Sequence, residues 1–176
     1  VRRELRGLKE GGGPRAVIAL GCLVKRVADS PELENFLDAA DARVSFHDYS
    51  RLPEICAGLL GEKSGQAEPE SYSDFLIHPR LRIGSPHTAY LKISEGCSNP
   101  CTFCSIPKIR GKQISRPMDD ILAEARALID AGAVEINLIA QDTTAYGKDW
   151  DRELHLRSLL CRLRDEIAED VWFRLM

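Results

Sequence analysis

This sequence predicts an α/β fold, a small N-terminal α/β domain followed by a second β-α-β-α-β alternation, and three observations predict it. Short apolar and β-branched runs alternate along the chain with longer stretches of helical period. The clearest of these runs stop at Gly, Ser or other polar residues, as strands do where they pass into loops. A stretch from Gly61 to Asp74, rich in Gly, Ser, Pro and Glu and without apolar period, separates two such alternations. The expected division is therefore residues 1–61, a linker at 62–75, and residues 76–176.

Each element has its own warrant. Gly11-Gly12-Gly13-Pro14 breaks whatever precedes it, and Ala16-Val17-Ile18-Ala19-Leu20 reads as a buried strand that delivers Cys22 to a turn after Gly21. Ser30 as cap and Pro31 at the first position open a short helix through Leu37. A strand near Val44 and a helix from Pro53 to Leu60 complete the first unit. Beyond the linker, Arg80-Leu81-Arg82-Ile83 is a lead-in strand, and Ala89 to Ile93 is a strand that stops at Ser94-Glu95-Gly96.

The clearest helix runs from Pro117 to Ala131. Ile121, Leu122, Ala125, Leu128 and Ile129 fall at i, i+1, i+4, i+7 and i+8, and Gly132 closes it. Val134 to Ala140 is the next strand, with Gln141 at its C-terminal end. Leu156, Leu159, Leu160, Leu163 and Ile167 mark a second helix, and Val171 to Met176 reads as a last strand. The order of elements is β-α-β-α-β, and in barrel-like α/β folds catalytic groups gather at the C-terminal ends of the strands.

Composition narrows the function classes. With 176 residues, 44% hydrophobic and 29% charged, the chain is ordinary globular material. A formal charge of −3 argues against a surface that grips nucleic acid by phosphate neutralisation alone, and a protein substrate is easier to accommodate. No apolar run approaches the roughly 20 residues of a spanning helix, and Val1-Arg2-Arg3-Glu4 lacks a signal peptide's apolar stretch, so the expectation is a cytoplasmic protein with no membrane partner. The start at Val1 and the unfinished strand at Met176 read as cuts, and the chain as the interior of a longer protein.

The most specific feature is Cys97-x3-Cys101-x2-Cys104, which stands directly after a predicted strand. Soft thiolates suit iron–sulfur clusters or zinc, and a cubane held by three cysteines keeps one iron open for a further ligand. A structural zinc site usually draws its four ligands as two separated pairs, and the second pair is missing here. Three thiols within eight residues cannot all pair locally as disulfides, and the spacing fits ligands in a reducing compartment better than a secreted framework.

The triplet, the Pro107, Arg110-Gly111 and Ser115-Arg116-Pro117 that follow it, and Gln141-Asp142-Thr143-Thr144-Ala145-Tyr146-Gly147 together resemble the radical S-adenosylmethionine (SAM) methylthiotransferase family. The resemblance runs from Arg15 to Met176. Gln-Asp-Thr followed by Ala-Tyr-Gly is similar to the members that act on an aspartate of a ribosomal protein, whereas tRNA-modifying relatives usually carry Gln-Asn-Val.

That resemblance implies a partial (β/α) barrel of radical SAM type, truncated here, and a C-terminal recognition domain that lies outside the chain. It also implies two [4Fe–4S] clusters in the complete enzyme and SAM as cofactor. Cys97, Cys101 and Cys104 would hold the radical SAM cluster. Cys22 matches the last of three N-terminal cysteines that hold the second cluster, its other ligands lying outside the chain; as a bare residue at a strand end it reads more readily as buried packing than as a ligand. Gln141 would contact the SAM amino group.

In this family the SAM bound at the open iron is cleaved by one electron, the resulting 5′-deoxyadenosyl radical abstracts hydrogen from a carbon, and sulfur arrives through the second cluster. The implied target is the β-carbon of an aspartate in a small-subunit ribosomal protein, free or on the ribosome, and an electron donor and a sulfur source complete the partners. A tRNA adenosine methylthiotransferase is the alternative within the class, and a metal-stabilised binding module without activity the alternative outside it. The fragment alone is expected to be inactive and, with an apolar sheet edge exposed, to associate.

The remaining chemistry-bearing residues read as structure. Cys56 and Cys161 lie in apolar patterns without a partner at ligand spacing, and His47, His78, His87 and His155 are scattered. Lys108, Arg110, Lys112 and Arg116 form a cationic run that is either a solvated loop or a rim that steers an acidic substrate. Asp142 and Thr143 stand as discriminators between substrates.

Overall fold

The computed structural model describes residues 13–62, 84–150, 155–167 and 170–176, together with Gly7. The chain divides into two compact units, Val1–Phe75 and Leu76–Met176. The expected lead-in strand at 80–83 and all of the expected linker after Glu62 lie outside the described residues.

In the first unit, β1 (Ile18–Leu20) pairs in parallel with β2 (Ala42–Val44), Ile18 opposite Ala42 and Leu20 opposite Val44. Cys22 does not fall on a turn. It opens a helix, α1 (Cys22–Ala28), which buries Val24 and Val27. The helix is too short to show a period in the sequence, and Gly21 before it reads as a stop. Gly21 is in fact the hinge, at φ 98, with its N–H donated to Val44 O at 3.3 Å.

The expected helix at Pro31–Leu37 is a 3-10 helix, and Ser30 stands at its cap position without a side-chain hydrogen bond to it. Val24, Val27 and Leu37 make a small core with Ala19, Leu23 and Leu33. A second 3-10 turn (Phe46–Arg51) leads into α2 (Leu52–Leu60), which has Pro53 in its first turn and ends on Gly61 in the left-handed region, φ 73, as helices commonly do.

In the second unit, β3 (Thr88–Lys92), β6 (Glu135–Ile139) and β7 (Trp172–Leu175) form a parallel sheet in the order β3-β6-β7. Thr88 to Lys92 pair in step with Glu135 to Ile139, and Glu135 lies opposite Trp172. The crossovers are α4 (Met118–Asp130) and α5 (His155–Ile167), as the two periodic stretches predict.

Leu91, Ile93, Ile136 and Leu138 of the strand segments meet Ile121, Leu122, Ala125, Leu159 and Leu163 of the helices in one core. Each of the Leu and Ile side chains contributes roughly 1.5–3 kcal/mol on burial, which is why these two helices and the sheet fix one another. Arg126 bonds Glu166 at 3.1 Å and Arg162 bonds Asp119 at 2.7 Å across the outer side of α4 and α5. Trp172, Leu175 and Met176, on or just after the edge strand β7, are exposed.

Between β3 and α4 the chain makes three short elements too brief to leave a period. β4 (Ser94–Glu95) and β5 (Ile114–Ser115) form an antiparallel ribbon, and α3 (Ile106–Arg110) lies on the connection between them.

Candidate metal centre

The cysteine triplet occupies the loop between β4 and β5, at the C-terminal end of β3. Three hydrogen bonds close its base across the neck. Glu95, 1% exposed, accepts Arg110 Nη1 at 2.7 Å and the Gly96 N–H at 3.3 Å on one oxygen, and Lys92 Nζ at 2.6 Å on the other. Burial pushes its pKa up, but these two cations outweigh that and hold the carboxyl below its ordinary value. The Cys97 N–H donates to Gly111 O at 3.2 Å, and the Gln113 N–H to Ser98 Oγ at 3.1 Å. At Gly96, φ 75, a Cβ would stand 2.3 Å from Lys112 O, so the two sides of the neck approach closely only because the residue is glycine.

The thiols differ in setting. Cys97 is 8% exposed at the neck, Cys104 is half-buried, and Cys101 is exposed. The Cys104 N–H bonds Cys101 O at 3.2 Å, which bends the tip into a turn. The loop therefore brings the three residues together in one segment but not into one cage: among the described residues no three His, Cys, Asp or Glu side chains converge closely enough to hold a metal ion. No disulfide joins the cysteines.

The end of β6 faces the same problem of position. Lys92 and Ile139 are the last paired residues of β3 and β6, and two residues further on stand Ser94 and Gln141. Ser94 Oγ and Gln141 Oε1 are both buried without a hydrogen-bond partner, an unusual state for interior polar atoms and one that fits a polar ligand.

Asp142 uses both carboxylate oxygens. Oδ1 accepts the Thr144 N–H at 3.0 Å and the Thr144 hydroxyl at 2.7 Å, capping the 3-10 turn Thr143–Ala145, while Oδ2 accepts Asn99 Nδ2 at 2.7 Å from within the cysteine loop. The Thr144 hydroxyl above all, then Asn99, holds the carboxyl below its usual range.

Residues 91–171 match the Radical SAM superfamily. Those residues, from Leu91 in β3 to Val171 just before β7, belong to that superfamily. Over 165 residues it is 40% identical to the ribosomal protein uS12 methylthiotransferase RimO of Anaeromyxobacter sp. (strain Fw109-5), an alignment that takes in 91% of this chain and 33% of that protein. It is 41% identical over 170 residues to the protein of the same name from Desulfosudis oleivorans, covering 96% and 38%, and 43% identical over 179 residues to that of Geotalea uraniireducens, covering 98% and 38%. The chain thus spans between 33% and 38% of the length of these relatives.

Within these radical SAM residues the Ala-Tyr-Gly segment is a latch. Gln113 Nε2 donates to Ala145 O at 2.6 Å, the buried Tyr146 donates its phenol to Arg116 O at 2.7 Å, and the Gly147 N–H reaches Ser115 Oγ at 2.8 Å. Ser115 in turn bonds both oxygens of Asp149, at 2.5 and 2.9 Å. Gly147 sits at φ 79 with the His155 side chain where a Cβ would be. These contacts lock the segment after β6 onto β5.

The cationic run is only half what its sequence implies. Lys108 and Lys112 are exposed, but Arg110 holds Glu95, and Arg116, 2% exposed, donates to Lys92 O at 2.7 Å and to Glu124 at 2.6 Å. Two of the four cations are therefore structural. Cys22, in the other unit, is exposed at the start of α1. Cys56 and Cys161 are half-buried, and His155 packs against Trp150 with ring centres 5.4 Å apart.

Sequence reasoning passed over Glu95, Asn99, Gln113 and Asp149. A Glu directly before Gly-Cys at a strand end was the one visible signal, because a charge in that place has to find a partner.

Proposed function

We propose that the chain is part of a radical SAM methylthiotransferase that adds a methylthio group to the β-carbon of an aspartate in a small-subunit ribosomal protein. The observation that carries this reading is the cysteine triplet on a loop at the C-terminal end of a parallel strand, in a chain about 40% identical along nearly its whole length to enzymes named for that reaction. Residues 1–61 are then the C-terminal part of an N-terminal methylthiotransferase domain, 62–75 a linker, and 76–176 the start of the partial barrel. The reducing cytoplasm that thiolate ligands require is the proposed compartment, and an electron donor and a sulfur source are the proposed partners beside the substrate, met free or on the ribosome.

The donor set fits the group. Three thiols on one loop are what a cluster with one open iron requires. Cys97, Cys101 and Cys104 would hold it, Cys22 would contribute to a second cluster with ligands from outside this chain, and the unpaired acceptor Gln141 Oε1 suits an ammonium such as the SAM amino group. When bound, the cluster with SAM supplies one-electron cleavage of a sulfonium carbon–sulfur bond and so hydrogen abstraction at an unactivated carbon. The protein's share is placement. Glu95 and Arg110 fix the base of the loop, the exposed tip is left to bring Cys101 and Cys104 toward Cys97, and the core beneath β3 and β6 excludes water from one side.

The test uses the full-length protein, reconstituted anaerobically and reduced. Iron with labile sulfide and formation of 5′-deoxyadenosine are expected, and Cys101→Ala should abolish the latter. Zinc without sulfide, or undiminished 5′-deoxyadenosine from Cys101→Ala, would remove the radical reading.

A further inference from the structure

We propose that Asp142 is a positioning residue for the cysteine loop, holding it through Asn99 to the end of β6. The loop is pinned at its neck, yet the neck contacts end at Ser98, and the thiols of Cys101 and Cys104 lie beyond them. Among the described residues, the side-chain bond that ties the span 99–104 to another part of the chain is the one between Asn99 Nδ2 and Asp142 Oδ2, 2.7 Å long and joining residues 43 positions apart. Pro100 follows Asn99, and its fixed φ stiffens the link between Asn99 and Cys101.

The other end of the tether is equally firm. Asp142 is fixed by its own turn through Thr144, and that turn is latched to β5 through Ala145 and Gly147. Since Asp142 adjoins Gln141, the loop with the thiols and the strand end with the unpaired amide oxygen are held in one register. A charge-assisted bond is the strong kind for this purpose.

The proposal rests, for its consequence at the metal, on the cluster reading of the triplet; the tether itself does not. Hydrogen–deuterium exchange of the peptide spanning 97–104 is followed in the metal-free full-length protein, and the spectrum of the reduced cluster on addition of SAM in the reconstituted one. Asn99→Ala and Asp142→Ala should each speed exchange across that peptide about tenfold, while Thr144→Val, which removes the hydroxyl bond to Asp142 and leaves the Thr144 N–H bond in place, should speed it far less.

Asn99→Asp alone sets two carboxylates against each other and should be worse than Asn99→Ala. The double variant Asn99→Asp/Asp142→Asn rebuilds the bond with its polarity reversed, and should recover both the slow exchange and the wild-type spectrum. Unchanged exchange in both alanine variants, acceleration by Thr144→Val equal to theirs, or a double variant no better than Asn99→Asp would each overturn the tether. Failure of the wild-type protein to take up iron and sulfide would instead remove the cluster reading and leave the exchange result standing.

Discussion

Glu95 and Arg110 stand fifteen positions apart and meet at 2.7 Å, closing the base of the loop that carries the three thiols. The carboxylate is interior, while Lys92 and Arg110 keep 24% and 23% of their side-chain surface in solvent. Glu95→Gln should therefore cost roughly 1.5–3 kcal/mol, the range for a hydrogen bond to a charged group, and not the larger penalty of a stranded buried charge, because both cations can turn to water. Urea unfolding of the full-length protein measures it, and an unchanged midpoint would refute the clamp.

Gly96→Ala should open the neck. At φ 75 an alanine is strained, and its Cβ would meet backbone, Lys112 O, which cannot swing aside as a side chain does. The Cys97 N–H bond to Gly111 should be lost with it. Trypsin should then cut after Lys108, Arg110 or Lys112 faster than in the wild type, and equal protection would show that the neck tolerates the methyl group.

Tyr146→Phe tests the latch and predicts a pH dependence. Burial foremost, with a smaller push from Asp149, holds the Tyr146 phenol well above its ordinary value of 10. The neutral form is thus favoured in the folded state, so its stabilisation is complete below about pH 10 and is lost as the pH rises further, when the unfolded tyrosine ionises and the folded one does not. The variant should be about 1–2 kcal/mol less stable at pH 8, having left the Arg116 carbonyl without its donor. The gap should narrow above pH 10. A gap that is constant with pH would show the phenol to be unperturbed.

Cys22→Ala in the full-length protein should lower iron content by about one cluster of two, since each cluster depends on its own thiolates. Reductive cleavage of SAM should persist while the methylthio product disappears. Unchanged product yield would make Cys22 a surface residue of α1 and nothing more.

The elements with a long apolar period were legible in the sequence: α4 and α5 run within a residue or so of their expected limits, and β3, β6 and β7 lie where β-branched and apolar runs stand. What escaped was short. Seven residues of α1 and the paired dipeptides of β4 and β5 give no pattern that can be told from chance. The thiols of the site were legible because their spacing is local. Glu95, Asn99 and Asp149 were not, since each acts on a residue between 15 and 43 positions away, and nothing in a linear string marks those meetings. Asp142 was singled out as a mark of substrate class; its carboxylate proves to be the cap of a turn and a partner of the cysteine loop.

The polar contacts around the loop also decide what kind of ion it can admit. Glu95, Asp142 and Asp149 all have both oxygens engaged by N–H or O–H donors, so that turning any of them toward a cation would strain the neck, the cap or the latch. Magnesium, calcium and manganese are recognised through just such oxygens. With these carboxylates engaged elsewhere, the loop presents sulfur in their place, a donor set that suits thiophilic metals better than the oxygen-seeking divalent ions.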